Sequence, residues 1–261
     1  MSIEITTDII TIASRKGGTG KTTSVFNLAY CLSGEDRKVL IIDLDSQCNL
    51  TDTVTINDNV NNTIYNVINN EVNIKNSIYE TNIKNIDVIP ASVELANLEV
   101  ELSDNDNREY ILKEKLEDIR GIYDYILIDT APSLDTLVVN SLVASDYALI
   151  TVRTSLYSFK GIEQVVELVN LIKKGFNPGL KILGMLVTQI DKRTKISKEF
   201  INDLKAIYGD KVFDNSISQN VAIVESTLEG LPVALYDNSA TSSKQYMSLA
   251  KEIKERSFGI G

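Results

Sequence analysis

The chain has 261 residues, 43% hydrophobic and 24% charged, an ordinary globular composition sufficient for one α/β domain over residues 1–261. It contains no histidine, which excludes histidine-based metal or acid–base chemistry, and its net charge of −10 argues against coating nucleic acid with the whole surface. Two cysteines make neither a disulfide framework nor a zinc site; with no membrane-length apolar run and no leader-like start, the expected setting is the cytoplasm, without a membrane partner.

An apolar, β-branched run predicts a first strand over residues 8–14. A glycine-rich stretch follows, Ser14-Arg15-Lys16-Gly17-Gly18-Thr19-Gly20-Lys21-Thr22-Thr23. Val25, Leu28, Ala29 and Leu32 then recur at helical spacing and predict a helix over 21–33, ended by Gly34. A second strand is expected over 37–43, ending at the acids Asp43 and Asp45. Residues 49–85 read as irregular, with a short helical piece over 63–68. A strand over 86–89 stops at Pro90, followed by helices over 94–102 and 108–120. The remaining pattern is strand 124–128, helix 134–144, strand 147–152, helix 158–174, strand 180–187, helix 196–208, a short strand 211–213, and helices 221–228 and 241–256.

Strands that are apolar on both faces and alternate with helices predict an α/β fold. Its mostly parallel twisted sheet is covered on both sides, in three layers. Ligands on such sheets sit at the carboxyl ends of the strands. The glycine loop, Asp43, Asp45 and Asp129 all fall on that edge, so one pocket can collect them. Three glycines among Gly17, Gly18, Thr19 and Gly20 let the backbone curl with its N–H groups inward, at the positive end of a helix dipole. Lys21 is placed to reach β- and γ-phosphates, and the Thr22 hydroxyl to ligate Mg²⁺. The general phosphate-loop pattern is G-x-x-x-x-G-K-[ST]. Here Arg15 stands where its first glycine falls, and Lys16 comes early in the loop.

This loop resembles the deviant Walker A motif of the ParA/MinD class of P-loop ATPases, in which the early lysine is the signature residue. Two further blocks agree. Asp43-Leu44-Asp45-Ser46-Gln47-Cys48-Asn49-Leu50-Thr51 resembles the family's D-x-D-P-Q-G-N-x-T segment, with Ser46 for proline and Cys48 for glycine. Ile126 to Ser133 resembles its Walker B strand. The similarity runs from about residue 9 to 253 and is greatest to short Soj-type ParA proteins. It implies an ATPase that uses ATP and Mg²⁺ and forms a homodimer in the ATP state. In that scheme Lys16 crosses the interface to the partner's phosphates, Asp45 orients the attacking water, and Thr22, Asp43 and Asp129 attend the metal. Residues 16–23 hold the phosphates, and Gln189 and Asn220 stand in the loops that hold adenine.

The resemblance also implies non-specific DNA binding and stimulation by a ParB-like partner, serving the partition of plasmid or chromosomal DNA. The family's Pro-Arg-Asn-Val-Arg loop is here Ser218-Gln219-Asn220-Val221-Ala222, without either arginine. Lys192, Arg193, Lys195 and Lys198 remain as a candidate DNA contact. Two alternatives stay open: a MinD-like or other positioning ATPase with a different cargo, and a nucleotide-binding scaffold that does not hydrolyse.

Overall fold

The computed structural model describes residues 6–34, 36–155, 158–191 and 193–258. Its strands are β1 (Asp8–Ala13), β2 (Val39–Leu44), β3 (Tyr79–Glu80), β4 (Ile86–Ile89), β5 (Tyr125–Thr130), β6 (Tyr147–Arg153) and β7 (Lys181–Thr188). They form one sheet in the order β3-β4-β2-β5-β1-β6-β7. Every pairing is parallel except the antiparallel contact of β3 with β4. The helices of the first half are α1 (Lys21–Leu32), α2 (Asn49–Thr53), α3 (Ile64–Ile68), α4 (Leu98–Glu101) and α5 (Ile111–Glu117). Those of the second are α6 (Thr136–Ala144), α7 (Ser158–Gly175), α8 (Lys195–Tyr208), α9 (Val221–Leu228), α10 (Val233–Tyr236) and α11 (Thr241–Phe258). Among the described residues no helix is long and apolar enough to cross a membrane.

Successive strand residues point to opposite faces, so each central strand feeds two cores. Ile10, Ile12, Val39, Ile41 and Leu127 pack with Val25, Leu28 and Leu32 of α1 and Leu249 and Ile253 of α11. Ile9, Leu40, Ile42, Ile126 and Ile128 pack on the other face against α3 and α5. The same alternation puts Asp43 in the series of Val39 and Ile41, and Asp129 in that of Tyr125 and Leu127. Both acids therefore lie on the α1 face, and the register pairs them directly across β2 and β5.

Most predicted strands and helices are present; beside the unexpected short helix α10, three differences stand out. Residues 49–85 are not irregular throughout: they contain α2, α3, a 3-10 turn over Ile74–Ser77 and β3. The helices expected over 94–102 and 108–120 each open with a 3-10 turn, Val93–Asn97 and Arg108–Tyr110. The strand expected over 211–213 is absent; Gly209–Lys211 is a 3-10 turn, and Val212 makes a single parallel bridge to Met185. Arg256 packs at this edge. Its guanidinium donates to Leu183 O at 3.1 Å and Val212 O at 3.2 Å. The guanidinium also lies over the Phe213 ring, 4.3 Å from its centroid.

Phe213 covers Gly184 so closely that a Cβ built there falls 2.5 Å from the ring. Gly184→Ala should therefore overpack this edge and cost about 1–3 kcal/mol. Thermal unfolding should show a melting temperature several degrees lower, with Gly184→Ala/Phe213→Leu recovering most of the loss.

Candidate functional site

The chain leaves β1 through Ser14, whose Oγ donates to Lys16 O at 2.9 Å. Gly18 (φ 68°) and Gly20 (φ 78°) adopt the left-handed conformation that glycine alone takes without steric cost, and Gly20 is the N-cap of α1. The N–H groups of Gly17, Gly18, Thr19 and Gly20 have no hydrogen-bond partner among the described residues. These donors, with the dipole of α1 behind them, form an anion cradle. Lys21, only 7% exposed, opens the helix. Burial lowers its pKa, and the carboxylates of Asp129 and Asp45 oppose that shift.

Thr22 Oγ1 donates to Asp129 Oδ2 at 2.6 Å. Asp129 is fully buried, and its Oδ1 has no hydrogen-bond partner. Burial first, and then the Asp43 charge, push its pKa up to about 7 against the pull of Thr22 and Lys21. An unpartnered carboxylate oxygen beside a threonine hydroxyl is a hard-oxygen donor set of the kind Mg²⁺ takes. No cluster of three or more His, Cys, Asp or Glu able to hold a metal occurs among the described residues.

Asp43, expected beside the metal, is occupied otherwise. Its Oδ1 accepts from Asp45 N at 3.1 Å, and its Oδ2 from Thr51 N at 2.9 Å and Thr51 Oγ1 at 2.7 Å. Thr51 Oγ1 in turn accepts from Ala91 N at 2.9 Å. Asp43 therefore seats α2 on the sheet. Cys48 caps α2 in the left-handed region (φ 55°), at the position where the family's segment has glycine. Asp45 Oδ1 accepts from Gln47 N at 3.0 Å, and its Oδ2 has no hydrogen-bond partner among the described residues. Lys16 Nζ donates to Ser155 Oγ of the same chain at 3.2 Å.

Beside the loop lies a cleft of about 410 Å³ whose walls include Thr23, Gln189, Ile217, Asn220, Ile223 and Tyr246. It places both expected base-loop residues next to the cradle. Gln189 Nε2 donates to Gly18 O at 3.0 Å, and Asn220 Oδ1 caps α9 through Ala222 N at 2.9 Å. Thr188, Ile217 and Tyr246 belong to this site without having been anticipated. Thr188 and Ile217 carried a signal, since they stand in the two loops expected to hold the base; Tyr246 carried none. A larger cleft, about 580 Å³, lies at the opposite end of β7, lined by Lys173, Lys181, Lys211 and Arg256.

The proposed DNA cations are partly neutralised within the chain. Arg193 makes two hydrogen bonds to Asp191, at 2.9 and 2.8 Å, and these hold the Asp191 carboxyl down at about 2. Lys195 pairs with Glu199 at 3.3 Å. Lys198 is exposed, and Lys192 lies outside the described residues.

A family profile described as an AAA domain matches residues 7–182. The chain is 38% identical over 246 residues to the sporulation initiation inhibitor protein Soj of Bacillus subtilis, covering 94% of this chain and 97% of that protein. The chain belongs to the ParA/Soj family of P-loop ATPases. It is also 36% identical to the chromosome partitioning protein ParA of Myxococcus xanthus, covering 95% of this chain and 88% of that one. Among solved structures it is similar to a cobyrinic acid a,c-diamide synthase from Mycobacterium smegmatis with bound ADP and magnesium. That match has TM-score 0.85 and 26% identity, covering 97% of this chain and 96% of the other. The three-layer α/β/α sandwich of the family is the fold described above.

The buried Asp129 carboxyl has a folded pKa above its unfolded value of about 4. Its contribution to stability is therefore fully present below pH 4 and is lost as pH rises toward 7. Asp129→Asn should raise the melting temperature of the nucleotide-free protein at pH 8, flatten its fall between pH 4 and 7, and abolish Mg²⁺-dependent tightening of ADP. Calorimetry with and without Mg²⁺ checks all three outcomes.

Proposed function

We propose that the chain is an ATP- and Mg²⁺-dependent switch that dimerises with ATP, binds DNA without sequence preference and hydrolyses ATP under the control of a ParB-like partner. The observation that carries this reading is the conjunction of unpaired loop amides, buried Lys21 and the orphaned Asp129 oxygen beside Thr22. The kinship with Soj and ParA supports it, as do the ADP and magnesium in the synthase structure.

Phosphoryl transfer to water depends on placement and charge more than on covalent help. Lys21 and the amides of residues 17–20 hold the phosphate chain. Thr22 and Asp129 would hold Mg²⁺, which would supply positive charge against the phosphates. Asp43 would contribute through α2, which its three accepted hydrogen bonds help to place, and one lone pair of its Oδ1 stays open. Asp45 has one oxygen fixed by Gln47 and the other available to orient the attacking water and take its proton, as the bond to the departing ADP oxygen breaks. Lys16, held by Ser155 in the single chain, would exchange that contact for the partner's phosphates in the dimer.

Asp45→Ala should bind ATP and dimerise but release no phosphate. Adding Lys16→Ala should leave ATP binding within about threefold, since one exposed charge contributes about 0–1 kcal/mol, and should remove the dimer seen by light scattering. A stable dimer in the double variant would place Lys16 within its own subunit. No phosphate release by the unaltered chain, with DNA and partner present, would leave a nucleotide-binding scaffold.

Arg193→Ala/Lys195→Ala should weaken DNA retention in the ATP state and reduce the salt slope by about 1 per cation lost, with ATP affinity unchanged. Unaltered retention would move the contact to Lys173, Lys181 and Lys211.

A further inference from the structure

The amides of the phosphate loop face inward only if its carbonyls are held outward, and the structure identifies what holds them. In a trans peptide the carbonyl of one residue and the N–H of the next point in opposite directions, and no cis peptide occurs among the described residues. Thr188 Oγ1 donates to Thr19 O at 2.7 Å in a buried bond, and shares its proton with Val152 O at 3.3 Å. The next residue, Gln189, donates through Nε2 to Gly18 O at 3.0 Å. Two consecutive residues at the end of β7 thus grip two consecutive loop carbonyls, which turns the N–H groups of Thr19 and Gly20 away from β7. A third bond secures the same loop from β6, where Thr19 Oγ1 and Thr151 Oγ1 lie 2.9 Å apart.

Gln189 reaches Gly18 from an unusual backbone. It sits in the left-handed region (φ 52°), which a non-glycine residue adopts only at a cost in conformational energy. The residue after it is equally committed: Ile190 N donates to Ile217 O at 3.2 Å, and Gln219 N donates to Ile190 O at 3.0 Å. Residues 217–219 form part of the wall of the neighbouring cleft. The segment 188–190 therefore joins the cradle on one side and the cleft on the other.

We propose that Thr188 and Gln189 are positioning residues that hold the phosphate loop in its anion-binding form. The proposal rests on the nucleotide reading of that loop. Gln189 acts on phosphate affinity through Gly18, not as a contact to the base.

Gln189→Gly separates these roles, because glycine keeps the left-handed backbone without strain and removes the side chain that carries the amide. Titration calorimetry would compare Mg–ADP with Mg–pyrophosphate, which has the phosphates and no base. Amide hydrogen exchange over residues 17–21 would be followed in the nucleotide-free protein. The expected result is a loss of about tenfold in affinity for both ligands alike, the effect of one hydrogen bond, with faster loop exchange and an undiminished melting temperature. Thr188→Val should act in the same direction. Weaker ADP binding with unchanged pyrophosphate binding would make Gln189 a base contact and overturn the proposal, as would unchanged loop exchange. If the unaltered chain bound neither ligand, the nucleotide reading itself would fail, while the exchange measurement would still decide whether the clamp exists.

Discussion

Two carboxylates buried side by side set the terms for the rest of this molecule. Asp43 and Asp129 end neighbouring parallel strands in the same register, on the same face, out of reach of solvent. Two unscreened negative charges so placed disfavour the folded state. The chain answers each differently. Asp43 accepts from two N–H groups and a hydroxyl, which binds α2 to the sheet and makes the segment after β2 dependent on one side chain. Asp129 receives a single hydroxyl and keeps an oxygen in reserve, and its neighbours are a buried lysine and the start of α1. The fold therefore stores an electrostatic demand that a bound cation would relieve.

That arrangement joins stability to occupancy. Anything that binds the folded chain at this edge stabilises it by mass action, and the loop, α2 and the cleft all share partners with the edge. Asp45 stands two residues beyond Asp43, its backbone N–H tied to the Asp43 carboxylate, so Asp45 and the seat of α2 are mechanically joined. Lys16 and Ser155 occupy the outer side of the same loop, where a second subunit would approach.

Much of this was legible in the sequence because the signals are local. The strands announce themselves by runs apolar on both faces, the loop by glycines ahead of a helical pattern, and the acids by their place at strand ends. What escaped depends on contacts between distant residues. Helix α2 is held by Asp43 and begins from a left-handed cysteine, neither of which helix periodicity reveals. The roles of Thr188 and Gln189 require a partner at Thr19 and Gly18, on the far side of the chain in sequence. The strand expected after α8 is reduced to a single bridge because Gly209–Lys211 winds as a 3-10 turn. By contrast, the pairing of Lys195 with Glu199 follows ordinary helical spacing and tempers the basic character of that patch.

The way β7 ends the sheet has a consequence for how copies of this protein can meet. An open parallel edge is a template for another chain, and such edges drive fibre-like aggregation. Here Arg256, Phe213 and the backbone of Ile217 close that edge with side chains and scattered bonds. At the opposite border β3 is only two residues long. Among the described residues neither border offers a length of free ladder, so neither is a ready template for edge-to-edge pairing with another copy.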